Sequence, residues 1–390
     1  MPPSACCLLA ATLILIASAS AGERLTLADV PAPPPLVADE PLAGEFSLER
    51  AAQSLDTSAL YWQKTRKCAA CHTMVPYLMA RPYLAAVSPE PPEVRQFFET
   101  IVEQRLEAEP ALPKDAVTAV VIEVAAALAF HDRATTGKLH PRTRQELDRM
   151  WTLQRPDGGW DWPFRDSPPV KSDDHFGVAI AALGASVAPE NYAGSAAALQ
   201  GLAGIRKFLK AQPPTSLHQK AMVLWAGMHV ADLLTPEEKA QTLTALAAAQ
   251  RPDGGWSLAS LVDNRADPRR QTEAGWKARA EQGHGHEFLV YVGQDKIYKS
   301  SLASDGYATG LVVYVLRQAG LPADDPPIRG GVAWLKSHQR ESGRWFTPSQ
   351  AWHTQHLIAN AGTAYAVLAL HACGEIPGPR QGTKPPAALP

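Results

Sequence analysis

Helical segments of two kinds alternate along this chain. Segments such as Glu93–Ala108 and Pro141–Gln154 carry apolar residues on one face, whereas Ala116–His131 is apolar on nearly every side. A helix with one apolar face lies at a surface, and a helix that is apolar all round is buried. The pattern therefore predicts an all-α fold in which surface helices are paired with buried ones.

A heptapeptide repeats within this pattern. Gln-Arg-Pro-Asp-Gly-Gly-Trp occupies 154–160 and returns unchanged at 250–256, which is 96 residues later. A degraded copy, Gln-Arg-Glu-Ser-Gly-Arg-Trp, occupies 339–345 after a further 89 residues. Proline lacks an amide donor and glycine accepts positive φ, so each copy ends the helix before it. A helix rich in small residues follows each copy: Phe176–Val187, Tyr307–Ala319 and Ala361–Cys373.

The repeating unit is thus a helix, a tight turn with an aromatic anchor, a loop and a second helix. Units of this kind bury their apolar faces only against neighbouring units. The segments Gly201–Gln212 and His218–Leu234 predict a further helix pair without a heptapeptide between its members. This pair explains the longer first interval as two units.

The heptapeptides resemble the QW motifs (Gln-x-x-Asp/x-Gly-x-Trp) of the terpenoid cyclases and of protein prenyltransferase β subunits, and we call the three copies QW turns. The resemblance covers roughly residues 90–375. It implies an α/α toroid, a ring in which inner helices surround a central cavity, with an N-terminal helical extension. It also implies that the Gln and Trp of each motif tie an outer helix to its neighbour. Activity does not follow from it, because one fold hosts many functions.

Composition divides the chain into five parts. They are a signal peptide (1–21), a Pro-rich linker (22–45), an N-terminal segment (46–90), the toroid (91–375) and a disordered tail (376–390). An apolar core with small residues after it indicates a cleaved export signal, and an uncleaved anchor is the alternative. We therefore expect a periplasmic or extracellular protein. No later apolar run approaches the roughly 20 residues of a membrane span, and a net charge of −2 gives no reason to expect a nucleic-acid partner.

The segment Cys68-Ala-Ala-Cys71-His72 predicts a cofactor. Cys-x-x-Cys-His attaches c-type haem: the two thiols bond to the haem and the histidine ligates the iron. Met79 is the candidate sixth ligand; its alternatives are simple core packing and a histidine from the toroid. Cys68 and Cys71 are also compatible with a disulfide or zinc, and so short a motif can arise by chance.

Carboxylates at two inner-helix starts are the candidate catalytic groups. Asp173 and Asp174 precede His175, and Asp305 occupies the matching place in a later repeat. Carboxylates and a histidine at a cavity rim suit acid–base work or a metal. The alternative is helix capping, for which Ser and Asp are preferred.

Other histidines carry weaker signals. His284, His286 and Glu287 lie in a long polar insertion (257–303) that suits either a metal site or a solvated loop. His218 and His229 lie on one predicted helix, where each is compatible with an ordinary core or surface role.

The chemistry of the resembled families is incompletely represented. The Asp-x-Asp-Asp acid of class II terpene cyclases is absent, and Tyr307 stands where the zinc-binding cysteine of prenyltransferases would be. We therefore expect an exported, haem-bearing toroid that binds an apolar or isoprenoid-like ligand and exchanges electrons with a redox partner. A terpenoid-cyclase-type enzyme and a non-catalytic binding toroid are the alternatives.

The haem prediction has a direct test. Protein expressed in a host that attaches haem should give sharp reduced α and Soret bands that remain with the polypeptide after denaturation and acid–organic extraction. A colourless protein from such a host would contradict it, and would make Cys68 and Cys71 a question of disulfide or metal chemistry.

Overall fold

The computed structural model describes residues 24–69, 72–108, 114–163, 169–170, 174–262, 303–349 and 356–377. The predicted signal peptide and most of the predicted tail lie outside these ranges. The described residues form thirteen α-helices: α1 Leu48–Arg66, α2 Met74–Ala80, α3 Glu93–Ala108, α4 Lys114–Ala134, α5 Pro141–Thr152, α6 Asp174–Val187, α7 Ala196–Ala211, α8 Leu217–Gly227, α9 Pro236–Ala248, α10 Leu258–Val262, α11 Gly306–Gln318, α12 Pro326–Ser337 and α13 Ile358–Ala372. No strand occurs among them, and the predicted all-α toroid is confirmed.

The helices form a closed double ring. The inner helices α2, α4, α6, α8, α11 and α13 each contact the next in that order, and α13 contacts α2. The helices α1, α3, α5, α7, α9 and α12 precede them in turn as outer partners. The predicted N-terminal segment, residues 46–90, supplies the pair α1 and α2, which stands between the last pair and the second. None of the described helices is long and apolar enough to cross a membrane.

Small residues let the inner helices approach closely. Gly184 of α6 faces the backbone of Ala126 on α4, and a Cβ at Gly184 would lie 2.8 Å from the Ala126 Cα. Gly310 of α11 faces the backbone of Tyr365 and Ala366 on α13 in the same way, at 2.5 Å. Apolar packing at this density explains why the inner helices are rich in Ala and Gly.

Each QW tryptophan fixes its turn to the outer helix that precedes it. The indole N–H groups of Trp160, Trp256 and Trp345 donate to the carbonyl oxygen ten residues earlier, at 3.0, 2.7 and 2.7 Å. All three rings are buried. The resemblance implied a tie to the neighbouring helix, whereas the tryptophan holds its own unit together.

Each QW glutamine makes the tie to the next outer helix. Gln154 donates to Gly201 O of α7 at 3.0 Å, and Gln250 donates to Pro327 O of α12 at 2.8 Å. Gln339 donates to Ser47 O at 2.8 Å and accepts from Ser47 N at 2.8 Å. Because Ser47 is the N-cap of α1, this last contact closes the ring.

The third QW turn departs from the other two because it receives the Pro-rich segment. Arg344 replaces the second glycine and donates to the carbonyls of Pro34 and Pro35 at 3.0 and 3.2 Å. The amide of Ser342 donates to Glu40 Oε1 at 2.9 Å. The predicted linker therefore docks along this turn in the structure.

A glycine pair tests the closure. Gly343 has φ +86°, and a Cβ there would lie 2.1 Å from Arg50 O of α1; Gly137 has φ +65° and open space around its Cβ direction. Gly137→Ala should lower the free energy of unfolding by about 1 kcal/mol through backbone strain alone. Gly343→Ala should cost about 2 kcal/mol more, since it also forces α1 away. Urea unfolding of both variants checks this, and equal losses would contradict it.

Candidate functional site

Two polar side chains meet at the N-terminal ends of neighbouring inner helices. His218 is the second residue of α8 and Tyr307 the second residue of α11. The His218 Nε2 and the Tyr307 hydroxyl are hydrogen-bonded at 3.1 Å. Both side chains are buried. We call them the His–Tyr pair.

The starts of both helices are firmly fixed. Ser216 caps α8 and forms a reciprocal capping box with Gln219. Asp305 caps α11, and Thr347 accepts a hydrogen bond from the Tyr307 amide at 2.9 Å. Caps satisfy the free amides of a first turn and set the direction in which its side chains project. The pair is therefore held by rigid elements.

Aromatic rings surround the His–Tyr pair. Phe176 of α6 stacks on the His218 ring at 6.4 Å between centroids, and Tyr365 of α13 meets Tyr307 edge-on at 4.8 Å. Trp162 packs beside Phe176 at 6.1 Å. It lies over Gly177, where a Cβ would come within 2.4 Å of the indole. These contacts explain why Trp162 is buried.

A deeper aromatic layer fills the middle of the ring. Trp225 of α8 is fully buried and contacts Phe130 of α4, Tyr314 of α11 and Tyr365 of α13. The centroid distances are 5.6, 5.0 and 6.4 Å. The His–Tyr pair lies toward the N-terminal ends of the inner helices, on one side of this layer.

Asp305, a predicted catalytic carboxylate, is a helix cap behind the pair. Its Oδ1 accepts from the Ala308 amide at 3.0 Å and from the Thr347 hydroxyl at 3.2 Å, and its Oδ2 accepts from the Leu258 amide at 2.5 Å. Burial raises its pKa to about 7, against the lowering effect of these donors. Asp305 is therefore a helix cap, which is the alternative role given for it above. It also positions Tyr307, because Thr347 bonds both to the Asp305 carboxylate and to the Tyr307 amide.

Asp174 is also committed to a structural contact. It begins α6, and its Oδ2 accepts from Arg155 Nη2 of the first QW turn at 2.6 Å. The inner helix α8 separates α6 from α11, so Asp174 and Asp305 belong to non-adjacent helices. Asp173 lies outside the described residues. The catalytic roles given to these three residues stay predictions.

His175 is likewise tied to the framework. Its Nε2 donates to Gln212 O at 2.8 Å, and its ring packs edge-on against Phe208 of the outer helix α7. The side chain thus links α6 to the outer ring instead of joining the His–Tyr pair.

Trp62 contacts both described residues of the predicted haem attachment motif. The indole N–H of Trp62 donates to Cys68 Sγ at 3.2 Å, and the Trp62 ring meets the His72 ring edge-on at 4.8 Å between centroids. A haem attached to Cys68 and ligated by His72 would have to lie against both side chains, which Trp62 already contacts. Cys71 lies outside the described residues, so covalent haem c stays a prediction.

Met79 and His72 are both held by contacts within the protein. Met79 is 2% exposed within α2 and belongs to the hydrophobic core, which is its core-packing alternative. His72 Nδ1 and Thr73 Oγ1 are hydrogen-bonded at 2.8 Å, and Asn360 of α13 donates to that same hydroxyl at 2.9 Å.

The described part of the chain contains no group of three His, Cys, Asp or Glu side chains placed to hold a metal ion. His284, His286 and Glu287 lie outside it.

Sequence reasoning missed the His–Tyr pair. His218 was weighed singly, and Tyr307 was noted only for standing where a zinc-binding cysteine would be. The available signal was positional, because each is the second residue of its inner helix and the two helices follow one another in the ring.

Comparisons with known proteins return solved structures alone. No known sequence family and no curated protein matches this chain. A polysaccharide lyase is 11% identical over 84% of this chain and 97% of its own, with a TM-score of 0.47. A protein from Actinoplanes is 17% identical over 71% of this chain and 99% of its own, with a TM-score of 0.31. A glycosyl hydrolase of family 88 from Bacteroides vulgatus is 12% identical over 86% and 92%, with a TM-score of 0.30.

These matches correct the function expected from the sequence. The expected function, electron transfer or oxidation on a cyclase-like toroid with an isoprenoid-like ligand, is wrong: the named enzymes that match are a polysaccharide lyase and a glycosyl hydrolase. The presence of haem c is a separate call and stays a prediction. The physical reason is that the QW turns specify ring closure, and a ring of this kind supports many chemistries.

The raised pKa of Asp305 gives a pH test. Folded Asp305 keeps its proton up to about pH 7, whereas its ordinary pKa is 3.8, so the folded state binds more protons between these values. The stabilising contribution of this residue should therefore fall as pH rises from 4 to 7. The unfolding free energy of wild type minus that of Asp305→Asn should therefore fall over that range.

Asp325→Asn is the matched control for this experiment. Asp325 occupies the N-cap of α12 but makes no side-chain capping bond. Urea unfolding at several pH values should show a pH-dependent difference for Asp305→Asn beyond that for Asp325→Asn. If the unfolding free energy of wild type minus that of Asp305→Asn stayed constant or rose with pH, the raised pKa would be contradicted.

Proposed function

We propose that the protein is an acid–base enzyme whose reaction centre is the His–Tyr pair, and that it cleaves an acidic polysaccharide by β-elimination. The observation that carries the proposal is the 3.1 Å contact between His218 Nε2 and the Tyr307 hydroxyl. Histidine and tyrosine are both established proton-transfer groups, and a direct hydrogen bond lets them act as one unit.

The proposed reaction moves one proton in and one proton out of the pair. The Tyr307 oxygen takes the proton from the carbon next to the substrate carboxylate, while its own proton passes to His218 Nε2. The electron pair of the broken C–H bond forms a carbon–carbon double bond, and the glycosidic C–O bond breaks. The imidazolium then returns a proton through Tyr307 to the leaving oxygen. No external oxidant or reductant is required.

Helix ends support the choice of an anionic substrate. The first turns of the inner helices α8 and α13 contain no acidic residue, so the positive ends of their dipoles are not offset by their own side chains. The positive end of a helix dipole favours a carboxylate and also a carbanion that develops beside it. Burial of the pair strengthens these interactions, because the local dielectric is low.

Aromatic side chains support a sugar as the substrate. Phe176 and Trp162 are 8% and 7% exposed, compared with 3% and 1% for His218 and Tyr307. Their rings offer apolar faces for the C–H groups of a pyranose, and binding sites commonly combine such faces with a few polar groups. The predicted export of the chain suits a polymeric substrate outside the cell.

Turnover of named polymers tests the proposal. Polygalacturonate, alginate and hyaluronan should be screened by ultraviolet absorbance, which rises when a double bond forms beside the carboxylate. Tyr307→Phe and His218→Gln should each lower kcat on the cleaved polymer by about 100-fold or more. New reducing ends without the absorbance rise would indicate hydrolysis and overturn the elimination.

Tyr192→Phe is the matched control for Tyr307→Phe. Tyr192 is also buried and its hydroxyl also donates a hydrogen bond, to Asp148 at 2.8 Å, but it lies between α6 and the outer helix α7. This variant should keep the wild-type kcat. If Tyr307→Phe and Tyr192→Phe had equal activity, the pair would have no catalytic role.

A further inference from the structure

A second cluster of polar side chains lies at the opposite ends of the inner helices. Tyr83 follows α2, Arg133 stands in the last turn of α4, and His229 follows α8. Tyr314 lies in the second half of α11, and His371 in the last turn of α13. Five of the six inner segments therefore contribute to what we call the C-terminal cluster.

Ring contacts and electrostatics bring the cluster together. The Tyr83 and His371 rings stack at 4.0 Å between centroids with planes 26° apart. Arg133 is near enough to lower the pKa of Tyr83, Tyr314 and His229 by its charge, although burial makes the net shift upward for both tyrosines. Arg133 thus lies among side chains from three other segments.

The side-chain polar groups of this cluster have no hydrogen-bond partner in the described part of the chain. Within the described ranges, no side-chain hydrogen bond or ion pair involves Arg133, Tyr314 or His371, although Tyr314 is only 8% exposed. Two other guanidinium groups near helix ends are satisfied: Arg95 pairs with Asp132 at 2.7 Å, and Arg317 donates to Ala372 O at 2.9 Å. Tyr314 is the buried member of the cluster, whereas Tyr83, Arg133 and His371 are half-buried. Polar groups in such surroundings that lack protein partners and converge on one place can bond to water or a ligand between them.

The two histidines of the cluster carry no charge at neutral pH. His229 is exposed, yet the protein around it, together with the charge of Arg133, lowers its pKa to about 4. Burial lowers the pKa of His371 to about 4 as well. Both imidazoles are therefore neutral at neutral pH, and the positive charge at this site is that of Arg133.

We propose that the C-terminal cluster binds a small molecule through a carboxylate or phosphate group. Arg133 holds the anionic group with its fork of N–H donors, and the hydroxyls of Tyr83 and Tyr314 add hydrogen bonds. The stacked Tyr83 and His371 rings form an apolar wall. The aromatic layer around Trp225 lies between this site and the His–Tyr pair, so it is a second site and not a part of the first.

A structural role explains only part of the cluster. Arg133 and His371 stand in last turns, where a cation offsets the negative end of the helix dipole. That effect accounts for the charge at Arg133. It does not account for the unpartnered Tyr314 hydroxyl or for the neutral His371, which carries no charge to offset the dipole.

Calorimetric titration with inorganic phosphate and with succinate tests the site. Wild-type protein should bind one of these probes saturably, and the tighter one identifies the anionic group. Arg133→Gln should weaken that binding about 10-fold or more, which is the loss typical of a charged hydrogen bond. Tyr314→Phe, which removes one hydroxyl, should weaken it by a smaller factor.

Arg329→Gln is the matched control, because Arg329 is an exposed arginine on the outer helix α12. Its affinity for the probe should equal that of wild type, and thermal melts should show that all three variants are folded. The absence of saturable binding of either probe by wild type would overturn the proposal. Equal affinities of wild type and Arg133→Gln would overturn it too, since the anion would then lie elsewhere.

Discussion

Closure of the ring is the constraint on which the rest of the structure depends. The side chain of Gln339 reaches Ser47 across 292 positions of sequence through two hydrogen bonds, and Gly343 lies directly on the backbone of α1. Every helix pair then has a neighbour on each side, so no apolar flank is left in water. The entropic cost of joining distant segments grows only slowly with their separation, which is why a few well-satisfied contacts can hold the ends together. The buried ion pair of Arg81 with Asp56, at 2.7 Å, fixes α1 to α2 beside this joint.

Closure also sets the chemistry that the ring can present. Alternation of outer and inner helices makes all inner helices run in one direction, so their N-terminal ends share one face and their C-terminal ends the other. His218 and Tyr307 meet because equivalent positions of adjacent helices are neighbours on the first face. Asp305 is the support behind that meeting, since it caps α11 and shares Thr347 with the Tyr307 backbone. On the second face, Arg133 and the unpartnered rings around it occupy the ends where inner helices stop.

The repeats made the fold predictable, and the same repeats obscured the site. Helix α3 has the predicted bounds, and the pair without a QW turn is present as α7 and α8. The roles of the carboxylates were harder to predict, because an Asp at the start of a helix has the same sequence pattern whether it caps the helix or acts in catalysis. Asp174 proved to pair with Arg155, a partner 19 residues away within the same repeat. His218 and Tyr307 are 89 positions apart, and only the ring order of α8 and α11 makes them neighbours.

The docked Pro-rich segment has a consequence for how the chain is made. Arg344 and Ser342 donate hydrogen bonds to residues near positions 34–40, and Gln339 donates to Ser47, so the third QW turn completes the packing of the first helix pair. During synthesis α1 and α2 emerge first, yet their partners α12 and α13 emerge last. Helices α1 and α2 can pack against α3 and α4 soon after these are made, but their other flank stays uncovered until α12 and α13 have been made. The order of translation thus makes the closing turn the final assembly step of the ring.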